Sequence, residues 1–289
     1  NALTQADDYF GTTTWSGDNA DTRNITDYGF QPDWAWIKNR GASISHVVFD
    51  SSRGVSSSIN TALSTNVSDS EGLGDNITTS AQLGGISAFL SNGFTLKEGN
   101  TDDARYTNKS SNTYVGWAWK ANGSTTTTND ASATGIGDRD SVYQANTTAG
   151  FSNPANVRQT NVTAGFSIIT YTGTGAAGTI AHGLGVAPKA IITKKRNASG
   201  NWASYFGTAD VTDPQTDALY LDLTDTRTDS ADFWNDTAPT SSVYSVQDAG
   251  DTNTNDHTYV AYVFAEVEGY SKIGSYTGNG STDGAFVLR

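Results

Sequence analysis

A chain of 289 residues with 36% hydrophobic residues can bury more than one core, and 30 Asp and Glu against 17 Lys and Arg give it a net charge of −13 and a pI near 4.4. No basic run is longer than Lys194-Lys195-Arg196, so the cationic footprint that nucleic acid or an anionic membrane requires is missing. The absence of cysteine excludes disulfides and thiolate metal sites, and no run of ~18 apolar residues is available for a spanning helix.

Only 16% of residues are charged, and Gly, Ser, Thr, Asn and Asp supply most of the polar character, the balance of a turn-rich β protein. Taken in chain order, period-two segments predict strands at Trp34 to Ile37, Val47 to Phe49, Ile86 to Leu90, Phe94 to Leu96 and Tyr114 to Trp119. A short helix is expected around Ser56 to Leu63. A polar run opening at Gly123-Ser124-Thr125 reads as a linker over 122–164. Strands follow at Phe166 to Tyr171, Ala190 to Thr193, Trp202 to Phe206, Leu219 to Leu223, Val243 to Val246 and Tyr259 to Phe264. Without methionine, Asn1 reads as the start of a processed product or of a piece of something longer.

The two lists run in the same order because the chain repeats itself. Thr14-Trp15-Ser16-Gly17, Gly29-Phe30-Gln31-Pro32, Lys38 and Arg40 recur about 156 residues later as Thr170-Tyr171-Thr172-Gly173, Gly185-Val186-Ala187-Pro188, Lys194 and Arg196. Thr113 to Trp119 recurs as Thr258 to Phe264, and Ser275-Tyr276-Thr277-Gly278 opens a third copy. The expected architecture is all-β: tandem antiparallel β-sandwich, jelly-roll-like modules at 1–121 and 165–269, with 270–289 as the start of a third repeat or an assembly strand.

Candidate sites are few. Trp34 with Trp36, and Trp117 with Trp119, each project from one face of a strand, as a core or as a sugar platform. The second module has Ala190 and Ile192, then Tyr262 and Phe264, at these places. Aliphatic replacements preserve a core and ruin a platform, so Trp36, Trp117 and Trp119 are expected to be largely buried, with Tyr259, Tyr262 and Phe264 as counterparts. Asp251, Asn253, Asn255 and Asp256 alternate oxygens like a calcium loop, with weaker versions at Asp18 and Asp21 and at Asp102 and Asp103; without the closing Glu they read as solvated turns. His46, His182 and His257 lie in no local catalytic signature, and Glu266 with Glu268 reads as a module junction. Gly173 to Gly178 precedes no helical pattern, so the dinucleotide fingerprint is discarded. Asn-x-Ser/Thr triplets at Asn24, Asn66, Asn76, Asn161 and Asn197 are expected by chance in this composition. No catalytic, cofactor or metal residues are assigned.

Phe30 to Arg40, Phe49-Asp50-Ser51-Ser52-Arg53-Gly54, Tyr114 to Lys120, Tyr171-Thr172-Gly173 and His182 to Lys189 resemble a repeat of large structural proteins of tailed bacteriophages, especially marine and cyanobacterial ones. The resemblance implies a non-enzymatic, β-rich component of a virion appendage such as a tail fibre, extracellular, assembling with itself and with other virion proteins, and contacting a host surface glycan. Two other classes remain open: a carbohydrate-binding or adhesin module array of a bacterium, and a glycan hydrolase needing clustered carboxylates in one groove.

Overall fold

The computed structural model describes residues 5–55, 61–73, 83–99, 105–121, 157–208 and 212–284. The first module contains β1 (Phe10–Ser16), β2 (Thr22–Ile25), β3 (Trp34–Asn39), β4 (Val47–Asp50), β5 (Leu63–Ser64), β6 (Gly85–Leu90), β7 (Gly93–Lys97) and β8 (Thr113–Trp119). The second contains β9 (Val157–Asn161), β10 (Phe166–Thr172), β11 (Gly178–Ala181), β12 (Ala190–Lys195), β13 (Ala203–Phe206), β14 (Asp217–Tyr220), β15 (Thr228–Asp229), the short helix α1 (Ala231–Trp234), β16 (Val243–Val246) and β17 (Thr258–Phe264). Each module is a sandwich of a large and a small antiparallel sheet: β1-β8-β3-β4-β5 over β2-β7-β6, and β15-β14-β13-β12-β17-β10-β9 over β11-β16. The first core gathers Trp15, Ile25, Ile37, Phe49, Phe94 and Leu96; the second gathers Ile169, Tyr171, Ile180, Ile191, Trp234 and Tyr244.

The repeated motif closes each sandwich in the same way. Trp15 stacks on Tyr114 at 5.6 Å and 14°, and Tyr171 stacks on Tyr259 at 5.1 Å and 14°. The Tyr114 hydroxyl accepts the Lys109 N–H at 2.8 Å and donates to the Arg105 carbonyl at 3.3 Å. Tyr259 accepts the Thr254 N–H at 2.8 Å and donates to the Gly250 carbonyl at 3.0 Å. The motif's glycine is steric: a Cβ at Gly17 would sit 2.0 Å from the Lys109 carbonyl oxygen, and one at Gly173 2.2 Å from that of Thr254. Gly29 (φ +74°) and Gly185 (φ +75°) turn the chain into β3 and β12 through a left-handed conformation that side chains resist.

The two modules are equivalent strand by strand. β1 to β4 match β10 to β13 in length, 156 residues apart, and Val48 opposite Leu63 matches Ser204 opposite Leu219. β8 and β17 are 145 residues apart, and the Trp34–Trp119 and Ala190–Phe264 pairs share a register. The missing residues fall between β5 and β8, where β6 has no second-module counterpart and α1 instead packs Phe233 and Trp234 into the core.

The structure bears on four of the expectations. β9 lies inside the stretch read as a linker, yet it pairs along β10, so the second module reaches back at least to 157; 122–156 lies outside the described residues. The helix expected near Ser56 falls partly outside them as well, and its last residue, Leu63, belongs to β5. The strand expected at Leu219 to Leu223 stops at Tyr220, leaving Leu221 and Leu223 exposed. Residues 270–284 form no strand beyond an isolated Val267–Ser271 bridge, and Tyr276, which occupies the motif position of Trp15 and Tyr171, is 73% exposed.

Because both tyrosine hydroxyls hold the same pair of backbone groups, Tyr114→Phe and Tyr259→Phe should each cost about 1–3 kcal/mol. Urea titrations check this; a loss near zero for either would show that the bridge does not stabilise its module.

Candidate functional site

Alternation along β3 and β8 points Ala35, Ile37, Tyr114 and Ala118 into the first sandwich, and Trp34, Trp36, Trp117 and Trp119 out of it. The second module covers that outer face. Trp34 is 3% exposed and lies 4.6 Å from the Tyr262 ring, 5.6 Å from Phe166 and 5.9 Å from Phe264. Val48, Leu63, Ala121, Ile168, Trp202 and Val260 complete this third apolar cluster. The expectation for the tryptophans is corrected as to their place: they do not fill a module core, and Trp36, Trp117 and Trp119, each mostly covered but not fully buried, lie on the outer face of the sheet, which the second module covers on its β3–β4–β5 side. Tyr262 and Phe264 face the same contact, while Tyr259 faces its own core.

Polar groups clamp the contact. The Tyr262 hydroxyl donates to Asp50 Oδ2 at 2.7 Å, and the same carboxylate pairs with the fully buried Arg53 guanidinium. Arg53 also reaches Glu71 Oε1 at 3.0 Å, and Glu71 Oε2 takes Arg196 Nε of the second module at 2.6 Å. Burial alone would lower the Arg53 pKa; Asp50, Tyr262 and Glu71 outweigh it, so the net direction is upward. Burial pushes the Tyr262 phenol well above its usual range. Gln159 Nε2 donates to Ser51 and Ser52 Oγ, each at 2.9 Å. Lys194 Nζ, pushed down to about 8 by burial against the opposing pull of Asp222, Asp251 and Asp69, donates to the carbonyls of Ser68 and Gly200. Asp50 and Arg53 are fully buried while Glu71 and Arg196 stay partly exposed at the rim, and these paired groups form a geometry that orients two bodies.

The other candidates do not converge. Asn253 is fully buried; its amide donates to the Ala176 and Gln247 carbonyls and accepts the Thr174 N–H, a turn brace that Asn108 repeats in the first module. Asp251 accepts the Asn201 N–H, its pKa raised by burial, and Asn255 donates to Asp256. Asp18 pairs with Arg23 and Asp21 with Lys97; Asp102 and Asp103 lie outside the described residues. Among the described residues no three His, Asp or Glu are grouped to hold a metal. Glu266 ties Lys272 and the Ile273 N–H into a hairpin that lines a cleft ending at Lys272. His46 is half-buried, and His257 Nδ1 lies 3.0 Å from Asn197 Oδ1. Asn161 is 3% exposed, so its triplet is closed to a glycan.

Two copies of one family model, described as a domain of unknown function (DUF7483), match residues 5–155 and 154–289. The chain belongs to this family. Each copy contains one of the two sandwiches, and the second starts just before β9. No curated protein matches the chain. No solved structure matches it either.

The site's architecture was hidden in one pattern: β3 and β8 are apolar on both faces, the mark of a strand covered on both sides, and that signal alone could have placed a partner on the tryptophan face. Asp50 and Arg53 lie in the Phe49 to Gly54 motif but nothing in it names their partners, Glu71 lies in no motif, and only folding brings them to Tyr262 and Arg196.

Trp34→Ala should cost on the order of 3–5 kcal/mol and split unfolding into two transitions, whereas Trp117→Ala, partly exposed, should cost clearly less. Calorimetry decides: equal effects would place both rings in equivalent surroundings. His182 is buried, with Nδ1 accepting the Leu184 N–H and Nε2 3.1 Å from the Thr240 carbonyl, and burial pushes its pKa down to about 4. Since the unfolded imidazole protonates near 6.5 and the folded one does not, stability should fall as pH drops from 6.5 to about 4, by on the order of 2–3 kcal/mol. A His182→Gln variant whose stability falls just as steeply over that window would assign the loss to other groups.

Proposed function

We propose that this chain is a non-enzymatic structural segment of a bacteriophage virion appendage, a tail fibre or similar, whose paired modules space and present a surface to the host. The observation that carries the reading is how the chemistry-bearing residues are used: the aromatic face, the buried Asp50 and Arg53 and the partly exposed Glu71 and Arg196 join like modules to one another. A tandem β-sandwich whose strongest contacts are spent on fixing module geometry suits a load-bearing spacer. The resemblance of Phe30 to Arg40 and of the closing strands to phage structural repeats supplies the virion, and the acidic, Ser- and Thr-rich surface suits a soluble, extracellular assembly. Its partners in this reading are copies of itself, other virion proteins and a host surface glycan.

A second reading, a glycan-binding or adhesin array, draws on Trp36 and Trp117. They meet edge to face at 6.3 Å and stay partly exposed beside Thr12 and Thr14.

Antibodies against the chain should decorate the appendages of phage particles in negative-stain micrographs of the native source. Labelling of bacterial surfaces with no labelled particles, together with a saturable glycan-induced change in tryptophan fluorescence that Trp117→Ala abolishes, would replace the first reading by the second. Hydrolysis of a polysaccharide by the pure chain would overturn both.

A further inference from the structure

Within the chain, the segment that follows β5 acts as a strap over the second module. Trp202 Nε1 donates to the Ser64 carbonyl at 2.9 Å, Lys194 Nζ and the Gly200 N–H each donate to the Ser68 carbonyl at 2.9 Å, and the Glu71 N–H donates to the Arg196 carbonyl at 2.8 Å. Strap 64–71 thus grips the β12–β13 hairpin, residues 194–202.

Both halves of this contact occur twice, because the modules repeat. The strap's counterpart is 220–227, after β14, and the hairpin's counterpart is 38–46, between β3 and β4. The second strap is seated on its own module as the first is: Asp222 Oδ1 accepts the Trp202 N–H at 2.9 Å, and Asn66 Oδ1 accepts the His46 N–H at 2.9 Å. Yet among the described residues these other halves do not meet. Leu221 and Leu223 are 39% and 41% exposed, Asp225 and Thr226 are exposed, and so are Arg40 to Ser43 on the first hairpin. The module contact is therefore heterologous, and it leaves one unused half on each module.

We propose that the strap 220–227 of one copy grips the hairpin 38–46 of a second copy, linking chains end to end. The inference rests on the reading of the chain as an assembling structural segment, and it names the joint. The charges match: Asp225 stands where Asp69 stands, near Lys194, and Lys38 and Arg40 occupy the places of Lys194 and Arg196. Leu221 and Leu223 supply apolar area that the intramolecular strap does not need, since the sheet faces beside it already bury Trp34. One place conflicts. Arg227, paired with Asp217 at 3.0 Å, occupies the position of Glu71 and would approach Arg40. With the sheet faces spent inside each chain, the joint is small, so association is weak and grows with concentration.

Sedimentation velocity of the full chain over about a hundredfold range of concentration tests this. The weight-average mass should rise with concentration. Arg227→Glu, which places a carboxylate opposite Arg40 as Glu71 lies against Arg196, should tighten association about tenfold, and Leu223→Asp should weaken it about tenfold or more. Adding Arg40→Glu to Arg227→Glu should remove the gain. All three side chains are exposed, so circular dichroism should show an unchanged fold. A mass that stays constant for both the parent and Arg227→Glu overturns the proposal, as does association that Leu223→Asp and Arg40→Glu leave unmoved. Particle labelling is independent of either result, so failure here is distinguishable from failure of the virion reading.

Discussion

The structure depends on one constraint: the large sheet of the first module is apolar on both faces, and water can be kept from only one of them by the module itself. Ala35, Ile37 and Ala118 spend the inner face on the sandwich core, and Trp34 with Trp119 remains outside it. Burying large aromatic side chains is worth on the order of 2–3 kcal/mol each. The second module supplies that cover, and Trp34 becomes the centre of a cluster drawn from both halves of the chain. The buried ion pairs around it have a different role. Taking Asp50, Arg53 and Glu71 out of water costs nearly what their attraction returns, so they contribute little net stability, but any other alignment of the modules would strand them unpaired. Apolar area holds the modules together and the charges set their orientation.

This division of labour accounts for how the two copies have diverged. Positions that brace each sandwich stay chemically alike: Trp15 and Tyr171 stack on Tyr114 and Tyr259, Asn108 and Asn253 donate to the equivalent Ala20 and Ala176 carbonyls, and Gly17 and Gly173 are equally crowded. Outer-face positions differ. Trp34 corresponds to Ala190, Trp36 to Ile192 and Trp117 to Tyr262. In a heterologous contact equivalent residues have different neighbours, so nothing requires them to match, and a large ring on one side is accommodated where the other side carries a small residue.

Much of the fold was legible in the sequence because its signals are local. Period-two runs at Trp34, Val47, Phe94, Tyr114, Phe166, Ala190 and Tyr259 are strands, and the spacing between copies survives to the exact residue from β1 to β4. β9 was missed because Val157-Arg158-Gln159-Thr160-Asn161 has one apolar residue; its strand state comes from pairing with β10 and from Gln159 reaching Ser51 and Ser52 across the contact. The direction of the tryptophans was misread for a related reason: period alone says that two faces differ and not which one a second module will cover. The role of Asp50, Arg53 and Glu71 was invisible, since Tyr262 and Arg196, the groups they meet across the contact, lie far away in sequence and no spacing rule joins them.

If the two sandwiches are held by their own contact rather than by the chain connecting them, cutting that connection should leave them together. A protease site placed between residues 122 and 156 would allow the backbone to be severed after folding. The two halves should then elute together in size-exclusion chromatography at the mass of the intact chain. Halves that separate on cleavage while each remains folded would contradict it.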